Sequence, residues 1–381
     1  MKILIYSSVF WPSIGGIESI TDTLASSILD LGHQCTVVTE TSLNKGQEEI
    51  ERSYEIVRSP SLFHRFNLVK GSDLVHSNGA SVALYPFAKL ANKPFIWTHN
   101  GYQVSCVDGL GWVNGEPAPL SPYASLKYHY HKFGLLFAVR EAVKLGFRRY
   151  VANSVDLNIA ATHWIAHRQP LPNQVVAYTP YPLNHFSQLK AQQDITYDFL
   201  YVGRLVSEKG IPELIYAFHS LCSIEEYKQM KLAVVGDGNL KEKVINLVTH
   251  LNLKENVFLL GAKRNPELAS IINQSHIAIV PSAWEEPMGG VCLELLAMDK
   301  PLITSSNGGH AECVGEAGLT FPNGDQEALF QTMLKLLRNP HLIETMKTQA
   351  AQKVEEFNPL NLTNKYIEIY ESVIKSYKNK I

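Results

Sequence analysis

The sequence contains few cysteines, and their arrangement argues against a disulfide framework or a zinc site. They are odd in number, widely spaced and without a CxxC pair: Cys35, Cys106, Cys222, Cys292 and Cys313. This usage is typical of a reducing compartment. Long apolar runs are absent too, because the best candidate, residues 133–147, is interrupted by charged side chains and a membrane span needs about 18 apolar residues. We therefore expect a cytoplasmic protein.

Three ligand-binding signatures are also missing. There is no Asp-x-Asp pair of the kind that holds a metal ion on a nucleotide diphosphate, and no GxxxxGK[ST] loop. Gly236-Asp-Gly238 has Lys241 where GxGxxG requires its third glycine, which leaves little support for a nicotinamide site. A formal net charge of −2 provides no field that attracts nucleic acid. We expect no metal ion, no cofactor and no nucleic-acid partner.

The hydropathy pattern alternates between short apolar runs and helical periodicity along the whole chain. Residues 2–8 resemble a strand, and apolar residues from Ile17 to Leu31 then recur at three- and four-residue steps before Gly32, which predicts a helix. Strand–helix–strand units of this kind build parallel sheets. Further strands are predicted at 35–39, 55–58, 73–77, 94–99, 150–154, 175–178, 199–202, 232–235, 257–260, 277–280 and 302–304.

A length of 381 residues suits two domains, and a Pro-rich stretch at 179–186 is interpreted as the linker between them. The predicted fold is α/β, with two Rossmann-like domains whose parallel sheets face each other across a cleft. Their predicted bounds are 1–180 and 188–358. An amphipathic C-terminal helix within 360–381 is expected to pack back on the first domain.

The segment from Glu286 to Glu294 follows a predicted strand and opens a predicted helix. Gly289 and Gly290 leave backbone N–H groups uncovered at the helix start, a site suited to sugar hydroxyls or phosphate. Glu294 is placed about two helical turns beyond Glu286, so that both carboxylates are expected to accept hydrogen bonds from vicinal hydroxyls. The alternative is an exposed helix start with solvated acids, and the flanking strand, proline and glycines favour the binding site.

Two cations follow the first strand of the second half. Arg204 and Lys209 lie between Gly203 and Gly210, and an Arg fork and a Lys point charge together are suited to a diphosphate. The alternative is a surface loop in which one of them pairs with Glu208.

Two features of the first half are weaker signals. Gly15 and Gly16 precede the first helix, where glycine permits close approach to a phosphate; an ordinary strand-to-helix turn has the same pattern. His99 stands at a predicted strand end and is expected to contact the donor sugar, against the alternative of a satisfied core histidine.

Together these motifs resemble the retaining glycosyltransferases of family 4, which have the GT-B fold. The resemblance covers nearly the whole chain and also includes Val235–Gly238 and Gly308-Gly309-His-Ala-Glu312. It implies transfer of a hexose-type sugar from a nucleotide sugar to a glycan or lipid-linked acceptor, with retention and without a metal. UDP is the default nucleotide, with GDP and ADP open. The implied chemistry is front-face transfer, in which the donor phosphate takes the acceptor proton.

The resemblance also assigns residue roles. Glu294 would bind the ribose, and Glu286 would contact the transferred sugar. Arg204 and Lys209 would neutralise the leaving diphosphate, and His99 would lie beside the donor sugar. The other implied donor-binding residues are Gly15, Gly16, Gly203, Met288, Gly289, Gly290 and Val291. Met288 stands where the family usually has Phe.

Acceptor recognition is expected in the first half, with Asn100, Tyr102, Lys127 and Arg140 as candidates. Between Lys127 and Arg149, six basic residues accompany a single acid, Glu141. Two interpretations remain open: peripheral contact with the anionic inner face of a membrane or a lipid pyrophosphate, and an ordinary amphipathic helix with a solvated basic face.

Three other functions share parts of this pattern. A non-hydrolysing nucleotide-sugar epimerase uses the same two-domain plan but needs no acceptor. A non-catalytic nucleotide-sugar-binding protein would bind without turnover. A redox enzyme is disfavoured by the incomplete GxGxxG.

Overall fold

The computed structural model describes residues 1–13, 15–43, 47–49, 51–191 and 193–379. The chain forms two compact units. The first comprises Met1–Gly111, Ala118–Pro182 and Phe357–Ile381, and the second comprises Trp112–Pro117 and Leu183–Glu356. Residues 380 and 381 of the predicted C-terminal helix lie outside the described residues.

The first unit is built on a parallel sheet. The strands up to Pro182 are β1 (Lys2–Ser7), β2 (Gln34–Thr39), β3 (Glu55–Arg58), β4 (Leu74–Asn78), β5 (Phe95–His99), β6 (Trp112–Val113), β7 (Glu116–Pro117), β8 (Leu157–Ala160) and β9 (Gln174–Val176). β6 and β7 pair as an antiparallel hairpin that belongs to the second unit. The others form a sheet in the order β3-β2-β1-β4-β5-β8-β9. β1 is buried from Ile3 to Ser7 because helices cover both faces of such a sheet.

The helices of this part of the chain connect successive strands. They are α1 (Gly16–Asp30), α2 (Leu62–Gly71), α3 (Tyr85–Leu90), α4 (Pro122–Phe133), α5 (Leu135–Ser154) and α6 (His163–Arg168). The predicted first helix is confirmed, with Ile20, Leu24 and Ile28 buried. The predicted strand at 150–154 is wrong. These residues form the last turns of α5, where Val151 and Ala152 are buried, and the strand begins at Leu157 instead.

The second unit repeats the plan around a second parallel sheet. Its strands are β10 (Tyr197–Val202), β11 (Leu232–Val235), β12 (Val257–Gly261), β13 (Ser275–Val280), β14 (Leu302–Ser305) and β15 (Gly318–Phe321), in the order β12-β11-β10-β13-β14-β15. The five strands predicted here are confirmed, and β15 was not predicted. The strand order reverses between β10 and β13, and ligands of open α/β sheets bind outside such a switch point.

Helices flank this sheet on both faces. They are α7 (Leu183–Gln188), α8 (Ile211–Cys222), α9 (Lys241–His250), α10 (Glu267–Asn273), α11 (Gly290–Ala297), α12 (Gly309–Val314), α13 (Gln326–Leu337) and α14 (Pro340–Glu356). The Pro-rich stretch at 179–186 is not irregular throughout, since α7 begins at Leu183. None of the helices in the described part of the chain combines the length and hydropathy needed to cross a bilayer.

The last helix, α15 (Pro359–Lys378), belongs to the first unit and packs on α1. Asn358 caps its start by accepting hydrogen bonds from the Leu360 and Asn361 N–H groups. Tyr366 and Tyr370 are fully buried in the core formed with β1 and α1. The Tyr370 hydroxyl lies 2.8 Å from Nδ1 of His76 on β4. The predicted amphipathic C-terminal helix is therefore present in the described residues.

Candidate active site

The loops after β10, β13 and β14 meet at the carboxyl edge of the second sheet. The loop after β10 carries Gly203, Arg204 and a 3-10 turn, Ser207–Lys209. It ends at Gly210, whose φ of +68° lies in the left-handed region. A Cβ on Gly210 would lie 1.8 Å from the Pro281 carbonyl oxygen, so only glycine lets the two loops approach this closely.

The turn after β11 supports the same loop from the other side. Gly236 has a φ of +153°, and a Cβ there would lie 1.8 Å from the Gly203 carbonyl oxygen. A Cβ on Gly238 would lie 2.3 Å from the Leu205 carbonyl oxygen. The Leu205 N–H donates to the Asp237 carbonyl at 2.9 Å. The glycines of the Val235–Gly238 turn therefore have a packing role that fixes the loop bearing Lys209.

Glu286 lies before α11, in extended backbone rather than in the helix. It forms an isolated parallel bridge with Gly308, and its carbonyl accepts from the Gly309 N–H at 2.6 Å. The expectation that helical spacing relates Glu286 to Glu294 is wrong, because α11 begins only at Gly290. Glu286 is instead positioned by the β14–α12 turn, where a Cβ on Gly308 would lie 2.8 Å from the Glu286 nitrogen.

The Glu286 carboxylate is buried and has three partners. Lys209 donates to Oε1 from the opposite loop. The Ser282 hydroxyl donates to the same oxygen at 2.8 Å. Oε2 lies 3.6 Å from Nε2 of His310. Burial alone would raise the pKa of Glu286, but the Lys209 ammonium and the His310 ring hold it well below its usual range.

His310 is the site residue that the sequence did not assign. It was recognised only as an unassigned position of the motif at 308–312, and its signal is its place in the first turn of α12. Its Nδ1 lies 3.2 Å from the Thr304 hydroxyl oxygen, and that hydroxyl donates its own proton to the Val280 carbonyl at 3.0 Å. Nδ1 therefore faces the Thr304 hydroxyl, while Nε2 faces Glu286.

Lys209 and Arg204, predicted to act together, lie in different environments. The Lys209 side chain is only 20% exposed and lies over the Trp284 ring, with Nζ 5.9 Å from its centroid. The Arg204 side chain is 70% exposed and lies 3.4 Å from Glu208, the surface pair that was the alternative interpretation. Lys209 is thus held at the site, whereas Arg204 extends into solvent.

The remaining predicted donor-binding residues of this unit lie at or near the start of α11. Met288, Gly290, Val291 and Glu294 are half-buried. The Gly289 N–H donates to the Cys313 sulfur at 3.4 Å, so this N–H already has a weak partner. A Cβ on Gly289 would lie 3.1 Å from the His310 ring and from Cβ of Cys313, so a larger residue would press on both side chains.

In the first unit, His99 occupies a core position. Its side chain is fully buried, with Nε2 2.9 Å from the Asn158 side-chain oxygen and Nδ1 without a hydrogen-bond partner. Burial lowers the pKa of His99 to about 4, against the opposing hydrogen bond of Asn158, so the ring is neutral at pH 7.

The predicted glycine pair lies at the start of α1. Gly15 is the N-cap of α1 and Gly16 its first residue; a Cβ on Gly16 would have no atom within 4 Å.

The predicted acceptor residues fall into two groups. Asn100 donates to the Asn78 side-chain oxygen at 2.7 Å, and Tyr102 is fully buried, with its hydroxyl accepting from Trp164 at 3.1 Å. Tyr102 therefore has no surface for direct acceptor contact. Lys127 and Arg140 are exposed on α4 and α5.

Known glycosyltransferases are similar to this chain in sequence. Residues 185–353 match the family described as Glycosyl transferases group 1, which covers nearly all of the second unit. An uncharacterized glycosyltransferase of Methanocaldococcus jannaschii is 24% identical over 369 residues, 94% of each chain. The capsular polysaccharide biosynthesis glycosyltransferase CapM of Staphylococcus aureus is 29% identical over 183 residues, 47% of each chain.

Solved structures show the same fold. Sucrose-phosphate synthase from Thermosynechococcus elongatus superposes with a TM-score of 0.74 at 19% identity, covering 98% of this chain and 99% of that one. Anabaena HepE in complex with UDP gives a TM-score of 0.70 at 18% identity, covering 98% and 100%. The two parallel Rossmann-like sheets are thus those of the GT-B fold, and the second unit is similar to the group 1 glycosyltransferases.

Proposed function

We propose that the protein transfers a hexose-type sugar from a nucleotide sugar, with UDP as the favoured nucleotide, to a glycan or lipid-linked acceptor. The observation that carries the proposal is the Lys209–Glu286–His310 cluster at the switch point of the second sheet. A nucleotide-sugar donor is supported by the structural neighbour HepE, which has been solved with UDP and with UDP-glucose.

The cluster suits the charge changes of glycosyl transfer. In the reaction, the bond between the anomeric carbon and the phosphate oxygen breaks, and its electron pair goes to the departing diphosphate while the sugar gains oxocarbenium character. A fixed cation beside the departing oxygen stabilises that charge. Lys209 supplies it: its ammonium is largely shielded from water and is held in place by Glu286 and Trp284.

Glu286 is suited to bind hydroxyls of the transferred sugar. The Lys209 ammonium and the His310 ring hold the pKa of Glu286 well below its usual range, and an ionised carboxylate accepts strong hydrogen bonds from hydroxyl groups. Besides Lys209, Ser282 and His310 lie beside the Glu286 oxygens and help to orient the carboxylate. Glu294 on α11 is proposed to bind the ribose, and Arg204 is free to swing its exposed side chain toward the diphosphate.

The proposed stereochemistry is retention, without a metal ion. The acceptor oxygen attacks the anomeric carbon on the face that the phosphate leaves, and the acceptor proton passes to the departing phosphate oxygen. Lys209 provides the positive charge that a metal supplies in Asp-x-Asp enzymes, a motif that this sequence lacks. Acceptor recognition is assigned to the first unit, with Asn100, Lys127 and Arg140 as candidate contacts.

Calorimetric titration with nucleotides tests the donor site. We expect UDP to bind, and Lys209→Met to weaken UDP binding by about tenfold, since a charge-assisted phosphate contact is worth roughly 1.4 kcal/mol or more. Uridine, which has no phosphate, should bind both proteins equally. Lys241→Met, which removes an exposed lysine of the same unit, is the matched control. Equal UDP binding by Lys209→Met and wild type, or no binding of UDP, GDP or ADP, would overturn the proposal.

A further inference from the structure

Helix α5 has one buried side and one unpartnered apolar side. Ala138, Glu141 and Leu145 are buried on the first. On the other, five large side chains recur at steps of three and four residues, which places them along one stripe of the helix. This apolar stripe consists of Leu136, Val139, Val143, Phe147 and Tyr150. Leu136 is 89% exposed and Val143 is 70% exposed, so the stripe faces solvent rather than the core.

The charges beside the apolar stripe are of one sign. Helices α4 and α5 together contain six basic residues and one acid, Glu141, in a chain of net charge −2. Glu141 is only 7% exposed and is paired with both Arg140 and Lys144. Arg148 and Arg149 donate to backbone carbonyls. The solvent-exposed charge along these helices is therefore positive. It is carried by Lys127, Lys132, Arg140, Lys144 and Arg149.

We infer that the apolar stripe docks on the surface of an anionic lipid bilayer. A helix lying in the membrane plane buries an apolar face at the boundary of head groups and acyl chains, while flanking cations lie among the lipid phosphates. Charge complementarity decides between occupants: a second copy of this chain would bring the same cations together, whereas anionic lipids neutralise them. An ordinary amphipathic surface helix buries its apolar face, but α5 leaves the apolar stripe exposed.

Helix α4, which precedes α5, also carries exposed aromatic side chains. Gly134, with a φ of +86°, ends α4 and begins α5, and the two helices pack together. Tyr123 and Tyr130 on α4 are 80% and 46% exposed. Aromatic rings of this kind are favoured at membrane interfaces because they join an apolar body to a polar tip. Exposed aromatic rings therefore lie on the helix that packs against α5 as well as in the apolar stripe itself.

Vesicle flotation tests the inference. The full chain is mixed with phosphatidylcholine vesicles or with vesicles containing phosphatidylglycerol, and the protein that floats is measured. We expect binding to the anionic vesicles, and Leu136→Ser/Val143→Ser to weaken the partition coefficient by about tenfold or more. Leu62→Ser/Phe63→Ser is the matched control, because those side chains are 70% and 75% exposed on α2; it should bind as the wild type does. Circular dichroism verifies that both variants are folded.

Three results would overturn the inference. One is the absence of flotation with anionic vesicles, and another is equal flotation with neutral vesicles. The third is sedimentation of the wild type as a dimer that Leu136→Ser/Val143→Ser dissociates, since the stripe would then cover a second copy. Raising the salt concentration should weaken the anionic binding, because lipid phosphates are screened.

Discussion

At the scale of single residues, the site depends on one buried ion pair. Lys209 and Glu286 come from different loops, and Lys209 is the charge closest to the Glu286 carboxylate. A buried carboxylate without its cation is costly, whereas a buried pair with complete hydrogen bonding is tolerated. The same lysine therefore has two roles, one in stability and one proposed in catalysis, which can be measured separately.

Removing Lys209 should destabilise the protein in a pH-dependent way. We expect Lys209→Met to lower the free energy of unfolding by about 3 kcal/mol at pH 7. Because the folded-state pKa of Glu286 is depressed, the contribution of the pair is complete above the unfolded-state pKa of about 4.3. It is lost as the pH falls through the folded-state value. Urea unfolding of both proteins between pH 3 and pH 8 measures the difference.

The control for this prediction is Lys241→Met, whose lysine pairs with Asp237 on the surface. Its free energy of unfolding should match that of the wild type at each pH, since exposed pairs contribute little. A Lys209→Met penalty that does not diminish in acid would show that the pair with Glu286 is not its cause.

Glycine at 210 is predicted to be essential for the loop. Gly210→Ala should lower the free energy of unfolding by more than about 3 kcal/mol, because the backbone strain adds to the clash with Pro281. Gly261→Ala separates the two causes: its φ of +71° is similar, but a Cβ there meets no atom within 4 Å. It should cost only about 1 kcal/mol. Equal losses in the two variants would refute the tight loop packing.

At the scale of elements, the start of α12 determines how Glu286 is presented. The Gly308 bridge fixes the Glu286 backbone, and His310 in the same turn contacts its carboxylate. Since His310 lowers the pKa of Glu286, His310→Ala should shift the acidic limb of the pH–activity profile toward higher pH and lower kcat by about tenfold or more. His250→Ala, at the exposed end of α9, should leave the profile unchanged. A lower kcat with an unshifted acidic limb would show that His310 does not act through Glu286.

Most elements could be predicted from the sequence, because buried parallel strands are short apolar runs and the helices are periodic. The segment 150–154 shows where prediction from local sequence fails. Its residues, Tyr-Val-Ala-Asn-Ser, suit a strand when taken alone. In the structure they form the end of α5, and Val151 and Ala152 continue the buried side of that helix. Within the site, Lys209 and Glu286 were identified from their motifs. Their direct contact and the position of His310 beside Glu286 were not, since both arise where loops from different strands meet.

At the scale of the whole molecule, the chain ends by returning to its first unit. Tyr370 on α15 is the partner of His76 Nδ1, while Nε2 of His76 lies 2.7 Å from the Thr98 hydroxyl. Burial lowers the pKa of His76 to about 3, so the ring is neutral and needs hydrogen-bond partners rather than a counter-charge. This contact joins residues 294 positions apart in sequence.

Tyr370→Phe should therefore destabilise the first unit. It leaves a ring nitrogen of His76 buried without a partner, which costs about 2 kcal/mol. Tyr123→Phe removes a hydroxyl from an 80% exposed ring and should change the free energy of unfolding by less than about 0.5 kcal/mol. Chemical unfolding monitored by fluorescence compares them, and equal stabilities would contradict the proposed role of the buried contact.

We propose metal-free glycosyl transfer with retention at the Lys209–Glu286 site. Proton NMR of the anomeric signals tests it most directly, during turnover of an α-linked UDP-sugar in the presence of EDTA, with water or a panel of glycans as acceptor. We predict that UDP is released, that the first-formed product is the α-anomer, and that Lys209→Met turns over at least about a hundredfold more slowly. A first-formed β-anomer, or turnover that EDTA abolishes, would contradict the account.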